Sequence, residues 1–194
     1  MDPLETLVYA VNELHGAVAS IDDAQMSIVT NCAPWTVRQL ASHALNNQLL
    51  WAGLVADEHL VSMADTMAGV PREGDLVPLA DDVVAAVSRM WATEGVMERV
   101  YATPFGELPG SVVILFPTVD AAAHSWDLAI SLRRPFEFAP EATPAISAVV
   151  EATCTDAARQ MGLIRPPTTP PDDATATEGL MALAGRTIPR SRTA

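Results

Sequence analysis

The residues of this sequence best suited to chemistry are an aspartate and a histidine one helical turn apart. Asp120 and His124 lie in the segment TVDAAAHSWDLA, and a spacing of four places both side chains on one face of a helix. A carboxylate oxygen and an imidazole nitrogen in this arrangement can bind one ion together. His43 lies on the inward row of another predicted helix, so the three residues would form a two-histidine, one-carboxylate metal site if these helices are neighbours. Three protein ligands leave one coordination position open, which is typical of catalytic metal sites.

A plainer interpretation of the same residues is a buried Asp120–His124 pair that satisfies its own hydrogen bonds without an ion. However, the rows that carry these polar side chains otherwise consist of Leu, Val, Ala and Trp. An unsatisfied buried polar group costs about 2–7 kcal/mol by transfer scales. A metal would satisfy all three side chains together, and this favours the metal site.

Two further polar residues lie one turn beyond the candidate ligands. Asp127 follows His124 and would either accept a hydrogen bond from a ligand imidazole or form an ion pair with an arginine such as Arg38. Asn47 follows His43 and would either orient a substrate or cofactor or form a hydrogen bond between helices. The sequence leaves both pairs of alternatives open.

The elements that must position these residues are predicted to be helical. Capping boxes at Asp2/Glu5 and Thr36/Gln39 mark the starts of the first two helices. Apolar residues then recur at helical spacing along four main helices, which predicts an all-α four-helix bundle with extra C-terminal helices and a possible short hairpin. The later helices are expected at about 80–94, at about 111–132 with either a kink at Pro117 or a helix that begins only there, at 143–162 with Thr143 as its cap, and from a cap at Asp173 to Gly185. A single domain is expected over 1–194, with a loop at about 60–79, a Pro-rich connector at 165–173 and a loosely ordered tail at 187–194.

Composition excludes several classes of function. The 194 residues carry 24 acidic and 11 basic side chains, a net charge of −13, and all the basic ones are Arg. Nucleic acids and anionic membranes are therefore poor partners. The N-terminal residues lack a basic stretch and no apolar run is long enough to span a bilayer, so we expect a cytoplasmic protein. Charged residues are only 18% of the chain, which either a buried face in a homodimer or a small, Ala-rich composition would explain. Cys32 and Cys154 match neither a disulfide framework nor a CxxC metal motif, and no base lies near Cys32 in the sequence.

Three segments resemble a known family. PWTVRQLASHALNNQLLWAGL resembles the W-T/S-x-x-x-L-x-x-H helix of DinB-like metal-binding proteins, and VDAAAHSWDLA resembles the acid-x-x-x-H-x-W-D-L-A helix of their actinobacterial branch. The ending GLMALAGRTIP is similar to the LLAFLGRDP close of that branch. The branch includes the N-terminal domain of mycothiol-dependent maleylpyruvate isomerase.

The resemblance implies a divalent metal between helices, held by His43, Asp120 and His124. Family members carry Glu or His where this chain has Asp120. Zinc is the expected metal, with Ni, Mn or Fe as alternatives, and mycothiol is the implied co-substrate. The implied function is a metal- and mycothiol-dependent thiol transferase or isomerase acting on a small electrophile. Maleylpyruvate itself is not the expected substrate, because the isomerase's active site also uses a C-terminal domain. A non-enzymatic metal-binding or self-associating helical bundle is the alternative.

Overall fold

The computed structural model describes residues 1–189. The chain forms two compact units, Met1–Pro135 and a second unit that begins at Phe136. Whether both belong to one domain stays a prediction. The loosely ordered tail was predicted over 187–194, and its residues from 190 onward lie outside the described residues. Within its described part, Ile188 is buried.

The first unit is built on four long helices, as the sequence predicts. They are α1 (Pro3–Ala19), α2 (Val37–Ala56), α4 (Val77–Trp91) and α6 (Leu115–Ser131), with a short α3 (Met63–Met67) between α2 and α4. Helix α1 packs against α4 and α6, and α2 packs against the same two helices, which closes a four-helix bundle. Its core is made of large buried apolar side chains from each of these helices, among them Leu7, Leu14, Leu40, Leu45, Val83, Trp91, Trp126 and Leu128.

Local signals explain where these helices begin. The capping boxes at Asp2/Glu5 and Thr36/Gln39 are both present, each with the cap side chain accepting from the backbone of the third helical residue. They confirm the first two predicted starts and satisfy backbone donors that the first turn leaves unpaired.

Two sequence-based boundaries in the first unit were wrong. The segment expected to be a loop at about 60–79 contains α3, because Ser62 caps a short helix there. Helix α4 begins at Val77, earlier than expected, since Pro78 fits its first turn. Of the two alternatives for Pro117, the start of a helix is the one observed. The helix is interrupted at Ile114, between α5 (Gly110–Val113) and α6, and Pro117 lies in the first turn of α6.

The possible hairpin is present. Strands β1 (Val100–Thr103) and β2 (Gly106–Pro109) pair antiparallel, with Tyr101 opposite Leu108. Gly110 follows at once, and a Cβ on it would lie 1.9 Å from the carbonyl oxygen of Val96. Only glycine fits this junction between the hairpin and α5.

The second unit contains α7 (Thr143–Thr153), α8 (Asp156–Gln160) and α9 (Ala176–Leu183). The predicted helix over 143–162 is therefore two helices, because Thr155 caps a new one. Thr143 is the first residue of α7 and not its cap. Thr175, and not Asp173, caps α9.

Helices α7 and α9 pack against each other. Within residues 1–189, no helix is long and apolar enough to cross a membrane.

Candidate metal centre

Helices α2 and α6 pack side by side, and this brings the three predicted ligands together. His43 Nε2 lies 3.5 Å from Asp120 Oδ2, and His124 Nε2 lies 3.4 Å from the same oxygen. One ligand atom from each residue lies within 4.8 Å of the other two. The spatial condition set by the sequence, that these two helices be neighbours, is therefore met.

Both imidazole rings are fixed by a partner on their other nitrogen. His43 Nδ1 lies 2.8 Å from the backbone carbonyl oxygen of Thr66, in α3. A carbonyl can only accept, so Nδ1 of His43 carries the proton and donates it. His124 Nδ1 lies 2.9 Å from Asp127 Oδ2 and donates in the same way. In the neutral rings the Nε2 lone pairs are therefore directed at Asp120, which is the usual tautomer of a metal-bound histidine.

One oxygen of Asp120 lacks a hydrogen-bond partner. Its Oδ1 atom is buried, and no hydrogen bond reaches it from residues 1–189. Two neutral imidazoles with unprotonated Nε2 atoms offer no donor to Oδ2 either. A cation at the point where Oδ2 and the two Nε2 atoms converge would balance the charge of this largely desolvated carboxylate and give Oδ2 the partner that it lacks when both imidazoles are neutral. The residues present therefore fit a divalent metal.

The electrostatics of the metal-free site point the same way. Burial raises the pKa of Asp120, but the neighbouring His124 and His43 outweigh it and hold that pKa well below its usual range. Burial lowers the pKa of His124, whereas Asp120, Asp127 and Cys32 together raise it well above its ordinary value. The site therefore favours a positive charge. When no metal is bound, a proton on His124 supplies that charge.

A loop before α2 completes the surroundings of Asp127. This carboxylate is fully buried. Its Oδ1 accepts a hydrogen bond from Asn31 Nδ2 at 2.7 Å, and its Oδ2 accepts one from Cys32 Sγ at 3.3 Å in addition to that from His124. Arg38, the alternative partner, instead donates to the backbone carbonyls of Arg72 and Gly74.

Sequence reasoning missed Cys32 and Thr66. Cys32 lies beside Asp127 and His124 and forms with them a second group of potential ligand atoms, yet 95 residues separate it from Asp127. No local pattern signals such a contact. Thr66 acts through its backbone, so its side-chain type carries no signal at all.

Asn47 and Trp35 lie close to His43. Asn47 is buried on α2, one turn after His43, and its role stays a prediction. The Trp35 ring lies 4.6 Å from the His43 ring, centroid to centroid. Trp35 also packs against Gly69, where a Cβ would lie 2.6 Å from the indole. The segment that contains α3 is thereby held close to the histidine that it orients.

The fold and the site define a class of helical proteins, four-helix bundles with two histidines and a carboxylate converging between two helices. The chain belongs to the family described as the mycothiol maleylpyruvate isomerase N-terminal domain, whose model matches residues 8–129. An uncharacterized protein of Mycobacterium tuberculosis, found in two strains, is 28% identical over 142 residues, or 73% of each chain.

Solved structures give the same fold. The crystal structure of the mycothiol-dependent maleylpyruvate isomerase superposes with a TM-score of 0.66 at 19% identity, over 83% of this chain and 71% of that one. A histidine-to-alanine mutant of that enzyme superposes with the same score and coverage at 16% identity. The all-α prediction and the family resemblance are both confirmed.

Proposed function

We propose that His43, Asp120 and His124 bind one divalent metal ion and that the protein is a mycothiol-dependent thiol transferase or isomerase acting on a small electrophile. One observation supports the metal site most directly. Two imidazoles, each with its Nδ1 proton engaged elsewhere, direct their Nε2 atoms at Oδ2 of Asp120, a carboxylate with 16% of its side chain exposed. Hydrogen bonding alone offers Asp120 no donor there unless a histidine is protonated.

The ion would supply the positive charge that lowers the pKa of a bound thiol, so that a nucleophilic thiolate exists at neutral pH. The surrounding residues set the conditions for this. Thr66 and Asp127 hold the rings of His43 and His124 in orientation through their Nδ1 protons, and Asp120 contributes the only ligand charge. We assign Asn47, one turn along α2, to positioning the thiol or the electrophile.

Zinc is the proposed metal, because two imidazoles and one carboxylate with an open position suit it. Ni, Mn and Fe are bound by the same kind of ligand set and remain alternatives. Mycothiol is proposed as the thiol because the family and the structural relative carry it in their names. A homodimer is proposed from the low content of charged residues.

Metal analysis of protein purified without a His tag tests the site. We expect one divalent ion per chain, lost in His43→Ala. His15→Ala is the matched control, since His15 lies on α1 and pairs with exposed Asp81 away from the site. An unchanged metal content in His43→Ala would refute the three-ligand site.

Thiol transfer is tested separately with mycothiol and chlorodinitrobenzene. In this reaction a sulfur–carbon bond forms, chloride leaves, and the thiol proton passes to solvent. We expect a rate above background that a chelator abolishes and added metal restores. A protein that binds the metal but gives no chelator-sensitive rate would instead be the non-enzymatic metal-binding bundle.

A further inference from the structure

An apolar cavity lies in the first unit, along α2 beyond the metal site. It is bounded by the C-terminal half of α2, the segment from Glu58 to Met63, and β1 with the turn that follows it. Its volume is about 200 Å³, whereas pockets for drug-sized ligands run to about 300–1,000 Å³. An apolar cavity of about 150 Å³ is large enough for benzene. The cavity therefore fits one aromatic ring with a small substituent.

Two elements carry both residues that line the cavity and residues of the candidate metal centre. On α2, Trp51 lines the cavity eight residues after His43, about 12 Å along the helix axis. Side chains on a helix lean toward its N-terminus, which for Trp51 is the direction of His43. On α3, Met63 lines the cavity one turn before Thr66, which orients His43. The cavity and the candidate metal centre therefore share α2 and α3.

Helix α6 supplies a third link. The Trp51 ring lies 5.1 Å from the ring of Phe116, which precedes Asp120 by one turn. The ring of Phe105 lies 5.2 Å from that of Phe116. Flat rings of this kind favour contact with another aromatic ring. Around the mouth, Leu60 and Met63 are 39% and 42% exposed. Exposed apolar side chains around a concave site are typical of ligand-binding surfaces.

The charges around the cavity disfavour an anionic ligand. The ionisable residues that line it are Glu58 and His59, and no Arg is among its lining residues. The chain as a whole carries a net charge of −13. A dicarboxylate would need a cationic partner in such a cavity, because burial of an unpaired carboxylate is costly.

We infer that this cavity binds the electrophilic substrate and that the substrate is a small, uncharged molecule with an aromatic or similarly flat apolar group. The inference rests on the proposed thiol transfer, because that reaction is what makes the ligand of the cavity an electrophile. Trp51 and Met63 then determine specificity by contacting the apolar group while the reactive carbon is directed toward the metal site.

The test separates the cavity from the chemistry. Metal-free protein is titrated with para-fluorotoluene, an unreactive analogue, and binding is followed by fluorine NMR. The variant Ala102→Phe places a ring into the cavity from β1. Val100→Phe is the matched control, because Val100 and Ala102 lie on the same face of β1 and are both exposed, whereas Ala102 lines the cavity and Val100 does not. A ring at position 102 would occupy space that the probe needs, so the probe would bury less apolar surface. We therefore expect Ala102→Phe to weaken binding about tenfold or more, and Val100→Phe to leave it unchanged.

The same variants are then assayed with mycothiol and two electrophiles, aromatic chlorodinitrobenzene and small aliphatic acrylamide. We expect Ala102→Phe to raise KM for the aromatic electrophile about tenfold and to leave acrylamide unaffected. Absence of para-fluorotoluene binding, equal binding by both variants, or displacement of the probe by maleate would overturn the inference. Binding of the probe without any thiol transfer would support the cavity and refute the proposed function.

Discussion

The hydrogen bond between Asp127 and His124 makes a quantitative prediction about metal affinity. Asp127→Asn keeps the size of the side chain but replaces one of its two acceptor oxygens by an NH₂ donor. The native carboxylate accepts from Asn31 at Oδ1 and from both His124 and Cys32 at Oδ2. In either orientation of the new amide, its NH₂ group therefore faces a side chain that itself donates a hydrogen bond, either Asn31 or the pair His124 and Cys32. Keeping the acceptor for His124 would face NH₂ toward Asn31, whose own oxygen accepts from Ser131.

Loss of a residue that orients a metal ligand typically weakens metal binding 10–100-fold, or about 1.4–2.8 kcal/mol. We expect Asp127→Asn to fall in this range when metal-free protein competes with a chromophoric chelator for zinc. The matched control is Asp156→Asn, which removes the same charge from an exposed site in the second unit. An affinity of Asp127→Asn within about twofold of the wild type would refute the assignment of Asp127 as the residue that orients His124.

Two further predictions concern stability. Gly69→Ala should lower the free energy of unfolding by about 1–3 kcal/mol more than Gly74→Ala, because both residues have positive φ but only Gly69 faces an indole at 2.6 Å; chemical denaturation measures this, and equal losses would contradict the close contact. In chelator-treated protein, the raised pKa of His124 stabilises the fold fully below its unfolded value of about 6.5, and this contribution is lost as pH rises through the folded pKa. The free energy of unfolding should therefore fall as the pH rises above about 6.5, by more in the wild type than in His124→Gln, and parallel pH profiles would contradict it.

The sequence was most informative where residues three or four positions apart determine the local structure. The i, i+4 spacing placed Asp120 and His124 on one face of α6, and the capping boxes located the first turns of α1 and α2. Helix boundaries set by competing local signals were less predictable. Ser62 and Thr155 each start a short helix that apolar periodicity alone does not reveal.

The surroundings of the ligands could not be predicted, because they depend on contacts between distant segments. Cys32 and Asn31 reach Asp127 from a loop before α2. Thr66 contacts His43 through a main-chain atom, and neither kind of contact leaves a residue pattern. The metal site required α2 and α6 to be neighbours, and the sequence did not reveal whether they are; the tertiary structure shows that they are.

The two histidines are anchored by partners of different kinds. Asp127 holds His124 through a side chain, so point substitution can break that anchor. His43 is held by a peptide oxygen of α3, which no substitution at position 66 deletes. The orientation of His43 consequently depends on the position of α3, and a displacement of that short helix would move the imidazole of His43. If the proposed metal is bound, a ligand that contacts Met63 in α3 would therefore change the metal affinity.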